Sequence, residues 1–258
     1  MRSDFLRRLV AVAVVVMAAQ VLTPPAGADH SWEGYHWART ANPFTLTLVD
    51  NVSPAWDPYL VTTSADWTAS VLLDTNVVGG TTLNSQLCNP VYGQVEVCSY
   101  DYGRTGWLGI AEVWVIGSHI VRGTVKMNDR YFNMPGYNSP AWRNSVMCQE
   151  VGHTLGLDHQ DEVHSNANLN TCTDYSNNPT SNQHPNAHDY AQLESIYAHR
   201  DSSNSASASA PTASAGADRL GQEDLGEPLR YGRDGRPVLF VRDLPGQDKH
   251  FTWVTWAE

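Results

Sequence analysis

One helix with a forced stop constrains this chain more than any other feature. The run "PAWRNSVMCQEVGHTLG" opens with Pro140, a residue suited to a first helical turn, continues through good helix formers and meets Gly156. It predicts a helix of about four turns. Gln149 and His153 stand four apart and share a face, with Glu150 three residues before His153. Glycine at 156 lets the helix end in a left-handed turn, and that reversal lets His159 fold back toward His153. Neutral imidazoles suit zinc at about 2.0–2.1 Å, and a site with three protein ligands leaves a position open for water.

This spacing resembles the signature H-E-x-x-H-x-x-G-x-x-H of the metzincins, secreted zinc endopeptidases such as matrixins and astacins. The match is at Glu150, His153, Gly156 and His159, and the departure is Gln149 in place of the first histidine. The resemblance covers roughly Trp32 to Arg200. It implies an α/β (α+β) fold: a first helix and a mostly parallel twisted sheet with an antiparallel edge strand, then the active-site helix and a closing helix. It implies one catalytic zinc ion held by His153, His159 and Gln149, with Glu150 as general base and then acid. The family carries a methionine turn below the zinc. The equivalent stretch here is "TCTDY", with Thr173 at the methionine position and Tyr175 as an auxiliary ligand or transition-state stabiliser. No cysteine lies between the leader and the domain, so latency of the matrixin kind is excluded.

An amide oxygen is a weaker donor than imidazole. Gln149 is therefore expected to lower zinc affinity by at least ~10–100-fold, the loss typical when partners behind the ligands are removed. Weaker donation also leaves the metal a stronger Lewis acid. If Gln149 only hydrogen-bonds the site, His164, Asp158, Asp161 and His119 are alternative ligands by residue type. Two functions follow: a secreted zinc-dependent endopeptidase, or a weak or inactive pseudo-protease serving as a metal- or peptide-binding module. The retained Glu150 favours the first and Thr173 the second. A third reading makes the tail an adhesive element and the domain its scaffold.

Elsewhere the chain reads as one domain with attachments. Arg2, Arg7 and Arg8 precede an apolar run, Leu9 to Leu22, and "AGA" at 26–28 has the form of a signal-peptidase site, so residues 1–28 read as a signal peptide. Removing them leaves 13 basic against 26 acidic residues, a net charge of −13, which disfavours nucleic acid as a partner. A peptide or protein substrate and a secreted monomer with no membrane segment after cleavage are expected. Strands are predicted in "FTLTLVDN", "SVLLDTNVV", "QVEVCSY", "GIAEVWVIG" and "IVRGTVKMN". One of the last two edges the cleft, where a substrate peptide can add as a further strand. A helix from about Pro58 to Ser70, capped by Asp57, is expected to pack Leu60, Trp67 and Val71; the closing helix in "HPNAHDYAQLESIYAHR" packs Leu193, Ile196 and Tyr197.

Four cysteines in an exported chain favour disulfides. Cys88 and Cys98 flank a turn-rich segment, which leaves Cys148 with Cys172, although three pairings are open in principle. Residues 29–200 form the domain, 201–217 a Ser/Ala-rich linker and 218–258 a tail with a β-hairpin. His30, His36, His184, His188 and His199 read as surface or hydrogen-bonded residues, and Asp189 and Tyr190 as helix-start and packing residues. Glu112 and Asp129 are either solvated or ligands of structural calcium.

Overall fold

A computed structural model describes residues 30–81, 84–206 and 225–257. The signal-like segment 1–28 and residues 207–217 of the Ser/Ala stretch lie outside the described residues. Alternation of apolar and polar side chains makes β2 (Phe44–Asn51), with Phe44, Leu46 and Leu48 buried and Thr45 exposed. Around it stand β1 (His36–Trp37), β3 (Leu73–Gly79), β4 (Gln94–Tyr100), β5 (Trp107–Ile116) and β6 (His119–Asn128). The helices are α1 (Asp57–Thr68), a single turn α2 (Asp129–Phe132), α3 (Pro140–Thr154) and α4 (Ala187–Ile196). Three further strands close the chain: β7 (Glu227–Tyr231), β8 (Pro237–Asp243) and β9 (Lys249–Trp256).

The architecture is mixed α/β around one twisted mixed sheet, in the order β3-β2-β4-β6-β5-β9-β8-β7, with β1 paired to β6. Strands β3, β2, β4 and β6 are parallel, and β5 is antiparallel to β6. The resemblance implies a mostly parallel sheet with an antiparallel edge strand; the parallel half is present, but β5 lies inside the sheet and β9, β8 and β7 extend it antiparallel. Side chains alternate across the sheet, so β5 sends Ala111, Val113 and Val115 into the main core and Ile110 into a smaller cluster with Trp107, Phe240 and Val254.

Three details differ from expectation. Helix α1 is capped by Trp56 without a side-chain bond, so Asp57 is its first residue and not its cap. Leu60 and Trp67 are buried, but Val71 lies beyond the helix and is 73% exposed. The edge of β5, expected to be open, is filled: β9 runs antiparallel along it, and the β8–β9 hairpin and β7 continue the sheet. Residues at the start of the stretch read as linker are also packed. Ser205 Oγ accepts from the Ala38 amide at 2.8 Å and donates to the Ile120 carbonyl at 2.6 Å.

Disulfides join Cys88 to Cys98 and Cys148 to Cys172, the second tying α3 to the loop before α4; two such bonds are compatible with an extracellular protein. Glu112 and Asp129 are engaged by protein groups: Lys126 at 2.6 Å and His250 at 3.3 Å for the first, the Trp56 indole at 2.7 Å for the second. Among the described residues no helix is long and apolar enough to cross a membrane.

Candidate metal centre and cleft

Helix α3 begins where Ser139 accepts from the Trp142 amide and Pro140 takes the first turn. Its end is set by Gly156, whose φ of +96° and 2.4 Å approach of a notional Cβ to the Tyr35 carbonyl oxygen admit only glycine. Glycine serves a second purpose on β5: a Cβ at Gly109 would sit 2.7 Å from Glu150 Oε1, so its absence lets α3 lie close against the strand. Past the turn, the Asp158 amide donates to the His30 carbonyl at 2.6 Å, which seats the loop carrying His159.

Gln149, His153 and His159 converge. His153 Nε2 and His159 Nε2 are 3.0 Å apart, and Gln149 Nε2 is 3.3 Å from His159 Nε2. His153 Nδ1 lies 2.9 Å from the Leu157 carbonyl, which can only accept, so Nδ1 carries the hydrogen and Nε2 a lone pair. His159 Nδ1 lies 3.0 Å from Glu162 Oε1. Burial opposes ionisation of Glu162, but His159 and Arg230 hold its carboxyl below the ordinary range, so it too acts as an acceptor. Burial and the neighbouring His159 keep His153 well below the ordinary imidazole value, hence neutral. The two Nε2 atoms therefore meet with each ring held from behind, and such partners are the usual means of orienting metal-binding histidines. The residues fit a zinc ion. Gln149 Nε2 donates to Thr255 Oγ1 at 2.6 Å; turning the amide over presents Oε1 to the same point instead.

Glu150 is fully buried, and no hydrogen bond of ordinary geometry reaches either oxygen among the described residues. Burial pushes its carboxyl up to about 8, with the neighbouring Thr255 hydroxyl pulling the other way. Tyr175 packs its ring 4.4 Å from that of His159 and stacks on His164 at 4.8 Å, while its buried hydroxyl has no protein partner among the described residues. Thr173 donates to Asp189 Oδ1 at 2.7 Å; Asp189 also holds Thr171 and His30 and closes the capping box of α4. The threonine at the methionine position is thus an anchor between loop and helix. Asp158 pairs with Arg230, Asp161 accepts from the Val163 amide, and His119 belongs to a different cluster, with His36, His199 and Asp201. That cluster escaped the sequence reading because its members are scattered along the chain; only the spacing His199-x-Asp201 is local.

The tail contributes to this centre, which no motif signals. Trp253 is fully buried and lies parallel to His153, Thr255 meets Gln149, and Arg230 bridges Asp158 and Glu162, the latter at 3.0 Å. Beside Gln149 a cavity of about 270 Å³ is lined by Tyr137, Trp142, Val146, Tyr175 and Trp256, the last from β9.

No protein-family model matches the chain, and no curated protein matches it. Among solved structures, that of myroilysin is similar at 13% identity and a TM-score of 0.36, over 62% of this chain and 82% of the other. The likeness is too remote to bear on activity.

Proposed function

We propose that the chain is a zinc-dependent endopeptidase, acting outside the cell, whose cleft is closed by its own C-terminal strand. The observation that carries this reading is the convergence of Gln149, His153 and His159, with the two histidine Nε2 atoms 3.0 Å apart and each ring fixed from behind. His153, His159 and the Gln149 amide oxygen hold the ion. When bound, zinc supplies Lewis acidity to a water and to the scissile carbonyl. Glu150 lies on the same helix, and burial raises its carboxyl to about 8 without the ion. The charge of a bound cation favours the carboxylate, which then takes the proton of the attacking water and delivers it to the leaving amine. Its burial beneath β5 excludes bulk water from that transfer. A substrate strand pairs antiparallel along β5, where β9 now runs, and a large apolar side chain fills the cavity lined by Trp142 and Val146.

A second reading, a pseudo-protease that binds metal or peptide without cutting, is favoured by the bond that β9 makes to Gln149 through Thr255 and by the complete burial of Glu150. One experiment separates the two. Zinc content and cleavage of an unfolded protein substrate are measured for wild type, for Glu150→Gln and for Thr255→Val, which removes the bond from β9 to Gln149 and leaves the buried tail in place. The peptidase reading expects zinc in all three, cleavage strongest in Thr255→Val, and none in Glu150→Gln. Zinc without cleavage in any of them favours the binding module, and absence of zinc throughout removes both.

A further inference from the structure

A second cluster lies where β1, the start of β6 and the chain leaving α4 meet. His36 and His119 are register partners in the β1–β6 pair, and His199 and Asp201 follow α4. Their donor atoms surround one point. Asp201 Oδ1 lies 3.4 Å from His36 Nε2, 3.2 Å from His119 Nε2 and 3.4 Å from His199 Nε2, and the His36 and His199 Nε2 atoms are 3.1 Å apart. Ligands at about 2.0–2.1 Å from a tetrahedral zinc ion stand about 3.3 Å from one another, which these four separations match, and the donor atoms of His36, His119 and Asp201 all lie within 4.8 Å of one another. The rings also approach edge to face: His36 meets His119 at 84° and His199 at 90°.

His36 Nδ1 lies 2.7 Å from the Gly34 carbonyl and so carries a hydrogen, which fixes the ring with Nε2 turned toward Asp201 Oδ1. The groups behind the cluster are arranged accordingly. The Arg39 amide and guanidinium both donate to Asp201 Oδ2, at 3.1 and 3.0 Å, and leave Oδ1 for the shared point. Arg39 also donates to the His199 carbonyl, so one buried arginine orients two of the four groups. Imidazole nitrogens select zinc over calcium or magnesium, and four protein ligands make a closed, structural site. The His119 and His199 side chains are 33% and 54% exposed, which gives an ion a way in.

The geometry points to a structural zinc site formed by His36, His119, His199 and Asp201, sharing no residue with the centre at Gln149, His153 and His159. It cross-links the N-terminal strand, the β5–β6 turn and the chain after α4.

The test uses the full chain, stripped with chelator and reloaded with Zn²⁺ alone, with zinc counted by elemental analysis. About two ions per chain are expected in wild type and about one in each of His119→Ala, His199→Ala and His153→Ala. The His153→Ala chain isolates the second site: it keeps its ion here and loses it when His119→Ala is added, whether or not the peptidase reading survives. If His119→Ala and His199→Ala bind as much zinc as wild type, the site does not exist. Because an alanine variant can lose its metal by failing to fold, Co²⁺ is also added to stripped His153→Ala with the cluster intact. Visible bands of tetrahedral cobalt support the proposal, and an octahedral, aqueous-like spectrum overturns it.

Discussion

Trp253 lies parallel to His153, the ring centres 5.3 Å apart and the planes 13° from coplanar. One residue belongs to the last strand and the other to the helix that organises the candidate centre. Trp253 is fully buried in the main core, so the tail is part of the wall of the site. Displacing β9 must expose that indole, break the β5–β9 ladder and release Gln149 from Thr255. Opening the cleft is therefore a partial unfolding event, with a cost set by the strength with which the tail is clamped.

Arg230 is the clamp whose removal tests this. It bridges Asp158 and Glu162 beside the third candidate ligand, and its side chain is 34% exposed. Arg230→Ala should destabilise the chain by about 1–3 kcal/mol, below the loss typical of a fully buried pair. Amide exchange in β7–β9 should quicken while β2 and β4 stay protected. If cleavage of an unfolded substrate is unchanged despite faster exchange, the tail does not govern access.

Gln149→His supplies the imidazole that the metzincin-like spacing lacks, on the face already occupied by His153. Zinc affinity, measured by competition with a chromogenic chelator, should rise by about 10–100-fold. The Thr255 bond is lost or remade by the new ring, so tail protection should alter little. An unchanged affinity would mean that position 149 does not face the ion.

Much of this arrangement is legible along the chain because its determinants are local. Alternation marks β2, proline and glycine bound α3, and the His153–Gly156–His159 spacing places the returning loop. Asn186 starts α4 with a capping box to Asp189, in line with the reading of Asp189 as a helix-start residue. What escaped depends on pairings between distant segments. "HFTWVTW" announces a strand, but nothing in it names β5 as its neighbour. The His36, His119, His199 and Asp201 cluster exists only because β1 pairs with β6 and α4 returns the chain beside them. Helix α1 was misjudged at its start for a different reason: Asp57 is a good cap by type, yet the packed Trp56 indole, bonded to Asp129, takes that position.

Glu112 sets an acid limit on stability. Burial favours its neutral form, but Lys126 and His250 outweigh this and hold its carboxyl well below the ordinary range. A depressed folded-state value stabilises the fold above the unfolded value of about 4.3 and loses that contribution as pH falls below it. Urea unfolding of wild type and Glu112→Gln should therefore differ most above about pH 5, with the difference shrinking steadily as pH falls from about 4 toward the folded-state value well below the ordinary range. Curves offset equally at every pH would show that the ion pair contributes nothing through ionisation.

Gly156→Ala tests the link between the helix stop and the candidate centre. Alanine at φ +96° is strained, and its methyl group would meet the Tyr35 carbonyl oxygen at 2.4 Å, so either the turn or the N-terminal segment must move. A cost of about 2–3 kcal/mol follows, equivalent to a fall of about 4–12 °C in Tm for a chain of this size. Because the turn sets the return of His159, the same variant should bind zinc more weakly, while Gly136→Ala, where nothing lies within 4 Å of the added methyl, should change neither. Lower Tm with unaltered zinc affinity would separate the stop of α3 from the placing of His159 and show that the loop is seated by Asp158 and His30 instead.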